Sequence, residues 1–449
     1  MGSAQVISLT VGGQTPSGGD ATNRTSFLFL NALRMARVPY PNVTVRLHQQ
    51  TPKEFVPECV RSVQMGLGHP AFYSDAAIVT GLTSFGIPQE HARDYHVMGC
   101  NEVMISGRCR TYKAPNVKLC DFSNLASASP KSFDDLLTAY DGALQKKIDD
   151  MQPIGWTWCD PFASAMTSKC VERGLDLHAG GAEYWLSGVW GMGLGTAADS
   201  LAAMKKVLFD DKQATASELV AAIQANFAGQ YATLQQLLRD APKYGNDEGS
   251  DSDPNRVDKL AAHVAQVFCD AVKQRSQQSQ QQGKTMFLPM LASFRMHVET
   301  TTSFPATPDG RNATRPISDS ASPSQGQGKE GVTCVLHAAS NIDFSRSAGG
   351  SSFNVKLLPS LVAGDTGRQM LACLVNTYLL DMGGGQIQIN VVTSDDLQDA
   401  IDNPDRHRDL LVRVAGFCAY FVDLDVALQK EIVSRLEQEN WAACWPSCS

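Results

Sequence analysis

In the segment VMGCNEVMISGR a thiol, Cys100, stands two residues before a carboxylate, Glu102, with Gly99 and Gly107 flanking them. In extended or looped backbone, residues i and i+2 project to one side, so the two groups are spaced to share a pocket. Taken alone, a cysteine in an apolar setting is usually a small inert hydrophobe. A second segment, TPDGRNATRPISDSASPSQG from Thr307 to Gly326, opens on the turn signal Pro308-Asp309-Gly310. Pro323, Gly326 and Gly328 prolong it into an irregular stretch, which reads as a functional loop or an ordinary surface loop. In a third, RDLLVRVAGFCAYFVDL, the single glycine Gly416 interrupts an apolar, aromatic run that would otherwise be a strand or buried hairpin. By spacing alone that glycine marks a bend or a close backbone approach.

The elements that must position these residues alternate between helix and strand. TASELVAAIQANF from Thr215 predicts a helix, because Thr215 and Glu218 form a capping box and Leu219, Ala222 and Ile223 share a face. SFDDLLTAYDGALQKKI from Ser132 and VDKLAAHVAQVFCDAV from Val257 carry the same periodicity. Between them the short apolar runs MFLPMLAS, GVTCVLHA and QIQINVVTS read as strands, the last with Ile387, Ile389 and Val391 on one side. An α/β barrel or layered sheet is therefore expected. Gln277 to Gln282, the one low-complexity stretch, reads as a solvated connector.

Bulk properties narrow the partners. The formal net charge is -8 over 449 residues, and Lys and Arg are scattered, which argues against nucleic acid. No apolar run approaches the roughly eighteen residues of a membrane span, and no signal peptide is legible, so a cytoplasmic protein is expected. The 12 cysteines include no CxxC pair, which favours reduced thiols. Cys444 and Cys448 in CWPSC read as a metal-binding or oxidisable pair, or as a frayed tail.

Together and in this order, the three segments resemble the glycyl radical enzyme family. GCNE is similar to its active-site cysteine loop, TPDGRNATRPISDSASPSQG to its TPDGR-to-SPSQG signature, and RVAGFCAYF to its glycyl loop. The resemblance extends through GGDATNRTSFLFLNA, VRLHQQTPKEF, GLGHPAFYSD, SGVWGMGLGTAADSLAAMKK, APKYGND and NPDRHRDLLVRVAG, and so covers nearly the whole chain.

The resemblance implies the C-terminal half of a ten-stranded α/β barrel around a buried Cys loop and Gly loop. Residues 1–380 would be barrel and 381–449 the glycyl radical domain. It implies a radical stored on Gly416, a Cys100 thiyl that abstracts substrate hydrogen, and Glu102 as general base or acid. It also implies a radical S-adenosylmethionine [4Fe-4S] activating enzyme acting in trans, with no metal held by this chain. A separate chain carrying the N-terminal half-barrel, a small-molecule substrate and a dimer of the assembled, oxygen-sensitive enzyme complete the expectation. The formate-lyase members have a second cysteine directly after the first; Asn101 here disfavours their acyl transfer. Cys-x-Glu resembles the eliminating members, with an arylacetate-type decarboxylase as a second enzyme reading and an inactive partner subunit as a non-enzyme one. Lys113 and Ala114 stand near where diol dehydratase-like members carry an acid and choline lyase-like members a hydroxyl, which puts those substrates in doubt. Lys113, Arg108 and Arg110 face an anionic substrate or are simply exposed. Cys418 stands where the family usually has Ser, as a buried substitute or as a thiol exchanging hydrogen with the radical.

Overall fold

Runs of Val, Ile, Leu and Phe bounded by Gly or Pro form the strands, since branched and aromatic side chains suit a pleated, buried surface. The computed structural model describes residues 7–110, 115–124, 130–152, 158–246, 256–281, 283, 285–299 and 303–441. The strands are β1 (Ser8–Gly12), β2 (Asn42–Leu47), β3 (Ala71–Ser74), β4 (Tyr95–Met98), β5 (Glu102–Ile105), β6 (Asn116–Lys118) and β7 (Leu186–Met192). They continue with β8 (Met286–Leu291), β9 (Gly350–Ser351), β10 (Asn354–Leu357), β11 (Gln386–Val391), β12 (Leu411–Arg413), β13 (Cys418–Tyr420) and β14 (Glu437–Gln438).

β1, β2 and β3 pair in parallel, and β3 meets β11 antiparallel. β11 runs parallel to β10, and β6 to β9 form a parallel run of their own. β9 and β10 belong to one extended stretch: Ser352 N–H donates to Leu291 O at 3.1 Å on one side, and Gln388 N–H to Phe353 O at 2.9 Å on the other. The wall thus reads β6-β7-β8-β9/β10-β11-β3-β2-β1, with the short β14 added on β10. Among the described residues no strand pairs with the outer edges of β1 and β6. β6 to β11 run in one direction and β1 to β3 in the other, the two sets meeting at the antiparallel β3–β11 pair.

The β4–β5 hairpin stands off this wall, tied to its β1 edge and to its middle beside β9. Val97 N–H donates to Thr10 Oγ1 on β1 at 3.2 Å, and Val103 N–H to Gly349 O beside β9 at 3.0 Å. The β12–β13 hairpin approaches from the β11 side, where Asn390 Oδ1 accepts from Arg413 N–H at 2.7 Å. Cys100 and Gly416 are therefore carried on hairpin tips aimed at one place, with Glu102 at the start of β5 beside the first.

Helices cover the wall. The capping boxes at Ser132/Asp135 and Thr215/Glu218 start helices Phe133–Asp149 and Ala216–Gln224, as their patterns require. Helix Val257–Gln281 packs against β8, against Phe133–Asp149 and against Leu194–Met204, which is buried along its whole length. Two expectations are corrected. GVTCVLHA forms the helix Val332–Ser340 instead of a strand, because a short apolar run buried on all sides carries no period to separate the two states. Gln277 to Gln281 continue the long helix instead of forming a connector, with Ser276 and Ser279 buried beneath them; Gln282 lies outside the described residues. No helix among the described residues is long and apolar enough to cross a membrane.

Phe268 on the long helix is fully buried, and its ring fills the space where Gly191 of β7 lacks a side chain. Phe268→Ala should lower the unfolding free energy by about 3–5 kcal/mol. Denaturant titration checks this; a loss under about 1 kcal/mol would mean that the helix–wall contact is looser than described.

Candidate active site

The Cys loop is a tight turn. β4 and β5 pair up to Met98↔Glu102, and Gly99, at φ +63°, turns the chain so that Cys100 and Asn101 form the tip. The Glu102 carboxylate folds back over that tip, and Oε2 accepts from the Cys100 and Asn101 N–H groups, each at 3.1 Å. Thiol and carboxylate are adjacent, as i, i+2 spacing suggests, but through a reversed loop and not along an extended strand.

Gly416 occupies the tip of the second hairpin at φ +101°, where Val414 N–H donates to Phe417 O at 2.8 Å. A Cβ built on Gly416 would lie 2.6 Å from Cys100 Cβ and 2.9 Å from the Cys100 carbonyl carbon and oxygen. No side chain fits there, and the left-handed backbone disfavours one independently. The bend and the close approach read from the sequence are both present.

Polar side chains hold the two tips together. Asn42 Nδ2 donates to Gly99 O and to Gly416 O, both at 2.8 Å, so one amide bridges the two loops. Arg413 Nη2 donates to Gly416 O at 2.9 Å, and Gln388 Oε1 accepts from Gly416 N–H at 3.1 Å. On the other flank Asn101 Nδ2 donates to Ser352 Oγ at 3.1 Å, which donates onward to Ser320 Oγ at 2.8 Å. The Thr307–Gly326 segment thereby reaches the Cys loop and is no plain surface loop. Arg311 organises its start, donating to Thr307 Oγ1 at 3.0 Å and to Asn312 O at 2.9 Å.

Burial governs the electrostatics. It pushes the Cys100 thiol well above its ordinary range, the Glu102 charge adds to this, and Arg413 opposes it, so the sulfur keeps its hydrogen. Burial raises the Glu102 carboxyl to about 7 against the pull of the loop N–H groups. His69 falls to about 3 because it is buried and faces Arg413; it stays neutral, accepting from Val43 N–H at Nδ1.

Other sequence candidates separate from this centre. Arg108 pairs with Glu183 at 2.8 Å, and Arg110 is buried, donating to Thr285 Oγ1 at 3.1 Å beneath the Trp185 ring. Arg110 is thus neither an exposed cation nor among the groups around Cys100. Lys113, Ala114, Cys444 and Cys448 lie outside the described residues. Cys418 is fully buried; its Sγ donates to Gly68 O at 3.3 Å and accepts from Arg413 Nη1 at 3.6 Å, which suits a substitute for a hydroxyl. Sequence reasoning missed Asn42, Gln388 and Ser352. For Gln388 the signal was present: Gln386, Gln388 and Asn390 alternate with the apolar residues of β11, and all six positions of that strand are buried.

Residues 1–128 and 121–297 match the family described as pyruvate formate lyase-like, and residues 317–422 match the one described as glycine radical. Among curated relatives, the isethionate sulfite-lyase of Bilophila wadsworthia is 32% identical over 97% of this chain and 55% of its own length. The trans-4-hydroxy-L-proline dehydratase of Clostridioides difficile is 30% identical over 96% of this chain and 56% of its own. The glycerol-bound B12-independent glycerol dehydratase from Clostridium butyricum superposes with a TM-score of 0.86 at 32% identity, covering 96% of this chain and 57% of that one. The chain therefore spans little more than half the length of the proteins it resembles.

Two outcomes follow from the site's geometry. Gly350, at φ +118°, faces the Cys loop so closely that an added Cβ would lie 2.1 Å from Asn101 O. Gly350→Ala should displace the Cys loop and destabilise the fold by about 1–3 kcal/mol, read by thermal unfolding; an unchanged melting temperature would contradict the packing. Glu102 gives a pH signature. Its folded value of about 7 lies above its ordinary 4.5, so the native state holds the proton more tightly. Its contribution to stability is full below about 4.5 and is lost as pH rises towards 7, by about 3 kcal/mol. Glu102→Gln should flatten that decline when unfolding is measured from pH 4.5 to 8; identical pH profiles would contradict it.

Proposed function

The chain belongs to the pyruvate formate lyase-like family, and on that premise we propose that it is the C-terminal catalytic part of a glycyl radical lyase of the eliminating kind. The observation that carries the reading is the Gly416–Cys100 contact, which leaves no room for a side chain between them. A glycine Cα radical is delocalised into its flanking amides and suits storage, whereas a sulfur radical suits attack. In the first step the Cys100 S–H bond breaks and a Cα–H bond forms on Gly416. The thiyl then takes hydrogen from a substrate carbon bearing a hydroxyl, and the S–H bond re-forms. Glu102, with a carboxyl at about 7, accepts the hydroxyl proton as the group on the neighbouring carbon departs with its bonding pair, as amine or sulfite, or as hydroxide that takes up that proton to leave as water. The product radical takes hydrogen from the Cys100 S–H bond, and the thiyl so formed takes hydrogen back from the Gly416 Cα, which restores the stored radical.

Elimination is favoured over acyl transfer because Asn101 stands where a second cysteine would be needed. The names of the relatives, a sulfite-lyase and two dehydratases, point the same way. Decarboxylation of an arylacetate is the alternative, separable by carbon dioxide release. The radical would be installed in trans by an iron–sulfur, S-adenosylmethionine-dependent activating enzyme. A separate chain would supply the strands that pair with the open edges of β1 and β6; a ten-stranded barrel would need two more beside the eight staves described. Unpaired edges are costly to leave exposed, which supports such a partner.

Anaerobic incubation of the chain and its complement with the activating enzyme should yield a doublet in electron paramagnetic resonance, and later exposure to air should cut the backbone at Gly416. Glu102→Gln should keep the doublet and lower turnover by about 10²–10⁴-fold. A native chain that gives no doublet and survives air intact would leave only the inactive-subunit reading.

A further inference from the structure

Arg413 is fully buried, and its donors go to uncharged partners: Nε to Gln388 Oε1 at 2.7 Å, Nη1 to Asn42 Oδ1 at 2.7 Å and Nη2 to Gly416 O at 2.9 Å. His69 Nδ1 at 3.5 Å and Cys418 Sγ at 3.6 Å complete its surroundings. No carboxylate forms an ion pair with it among the described residues. Burying a cation without a counter-charge is expensive, so a fold that does so keeps the charge's full field for something else. Here the field falls on the Gly416 carbonyl.

Resting on the reading of Gly416 as the radical store, we propose that Arg413, with Asn42 and Gln388, sets the energy of the Gly416 radical by polarising both amides that flank its Cα. A glycyl radical is stabilised by electron donation from its own nitrogen and withdrawal into its own carbonyl. Arg413 Nη2 and Asn42 Nδ2 both donate to that carbonyl oxygen, which strengthens withdrawal. Gln388 Oε1 accepts the Gly416 N–H, which makes the nitrogen a better donor. The two effects add, because they act at opposite ends of one conjugated unit in a dry site where such contacts are strong. Arg413 also orders the other two: it holds Gln388 by the oxygen that receives the N–H, and Asn42 by the oxygen opposite the bridging amide. Arg413 is thus a positioning residue that biases hydrogen exchange between Gly416 and Cys100 towards the stored form.

The test is the radical itself, generated anaerobically by the activating enzyme in the native chain with its complement and in Arg413→Met, Arg413→Lys and Gln388→Met. The doublet splitting follows spin density on Cα, so loss of polarisation should widen it. Arg413→Met should widen the splitting and shorten the anaerobic lifetime of the radical by about tenfold, the factor that one charge-assisted hydrogen bond carries. Arg413→Lys should restore most of both, and Gln388→Met should shift both in the same direction as Arg413→Met. Where Arg413→Met does not fold, the Gln388→Met spectrum decides. Doublets of equal splitting and lifetime in native and variant chains would overturn this inference and leave the radical reading intact; no doublet in the native chain would overturn both.

Discussion

The contact between Gly416 and Cys100 is the constraint on which the other features depend. With an added Cβ at 2.6 Å from Cys100 Cβ, the two hairpin tips meet at a distance that only glycine permits. Such an approach has to be imposed by the surroundings, since a bare backbone contact supplies little attraction of its own. Asn42 imposes it from β2 by donating to both tips, Asn390 and Gln388 from β11, and the Ser320–Ser352–Asn101 chain from the far flank. The opposed strand directions of β1–β3 and β11 bring these residues together: the polar ends of β2 and β11 lie on either side of the antiparallel β3–β11 junction.

Dryness is the second requirement, and it explains the charge states. Burial keeps the Cys100 thiol protonated, the form able to give up a hydrogen atom, and lifts Glu102 to about 7, the form able to take a proton near neutrality. Neighbouring groups are neutral or positive: His69 is held uncharged beside Arg413. A second buried network, His297 between Asp319 and Glu431 with Arg435 on Glu431, anchors helix Val426–Ser434 behind the Gly hairpin. There burial disfavours the cation, yet the two carboxylates outweigh it and raise His297.

Much of this was legible beforehand, for physical reasons that can be named. Cys100, Glu102 and Gly416 stood out because their three segments together, in this order, resemble one family, whereas each alone also fitted an inert thiol or a bend; the capping box at Thr215 fixed a helix start through local hydrogen bonds, and periodicity gave the helix after Ser132. What escaped was non-local. Nothing near Asn42 in the chain announces a partner 374 residues away. GVTCVLHA looked like a strand because complete burial erases the helical period, and the glutamine run after Val272 looked like a connector because two of its serines, not apolar residues, face the core. The mixed strand directions also lay beyond composition and periodicity, because they follow from pairings between distant segments.

The central claim is that Gly416 and Cys100 exchange a hydrogen atom directly. The measurement closest to it is the radical spectrum recorded in deuterated water. A thiol exchanges its hydrogen with solvent during transient opening, so a radical that trades hydrogen with Cys100 should acquire deuterium on the Gly416 Cα. The doublet should collapse to a narrow line in the native chain and remain split in Cys100→Ser. A native spectrum that keeps its full splitting in deuterated water would contradict the account.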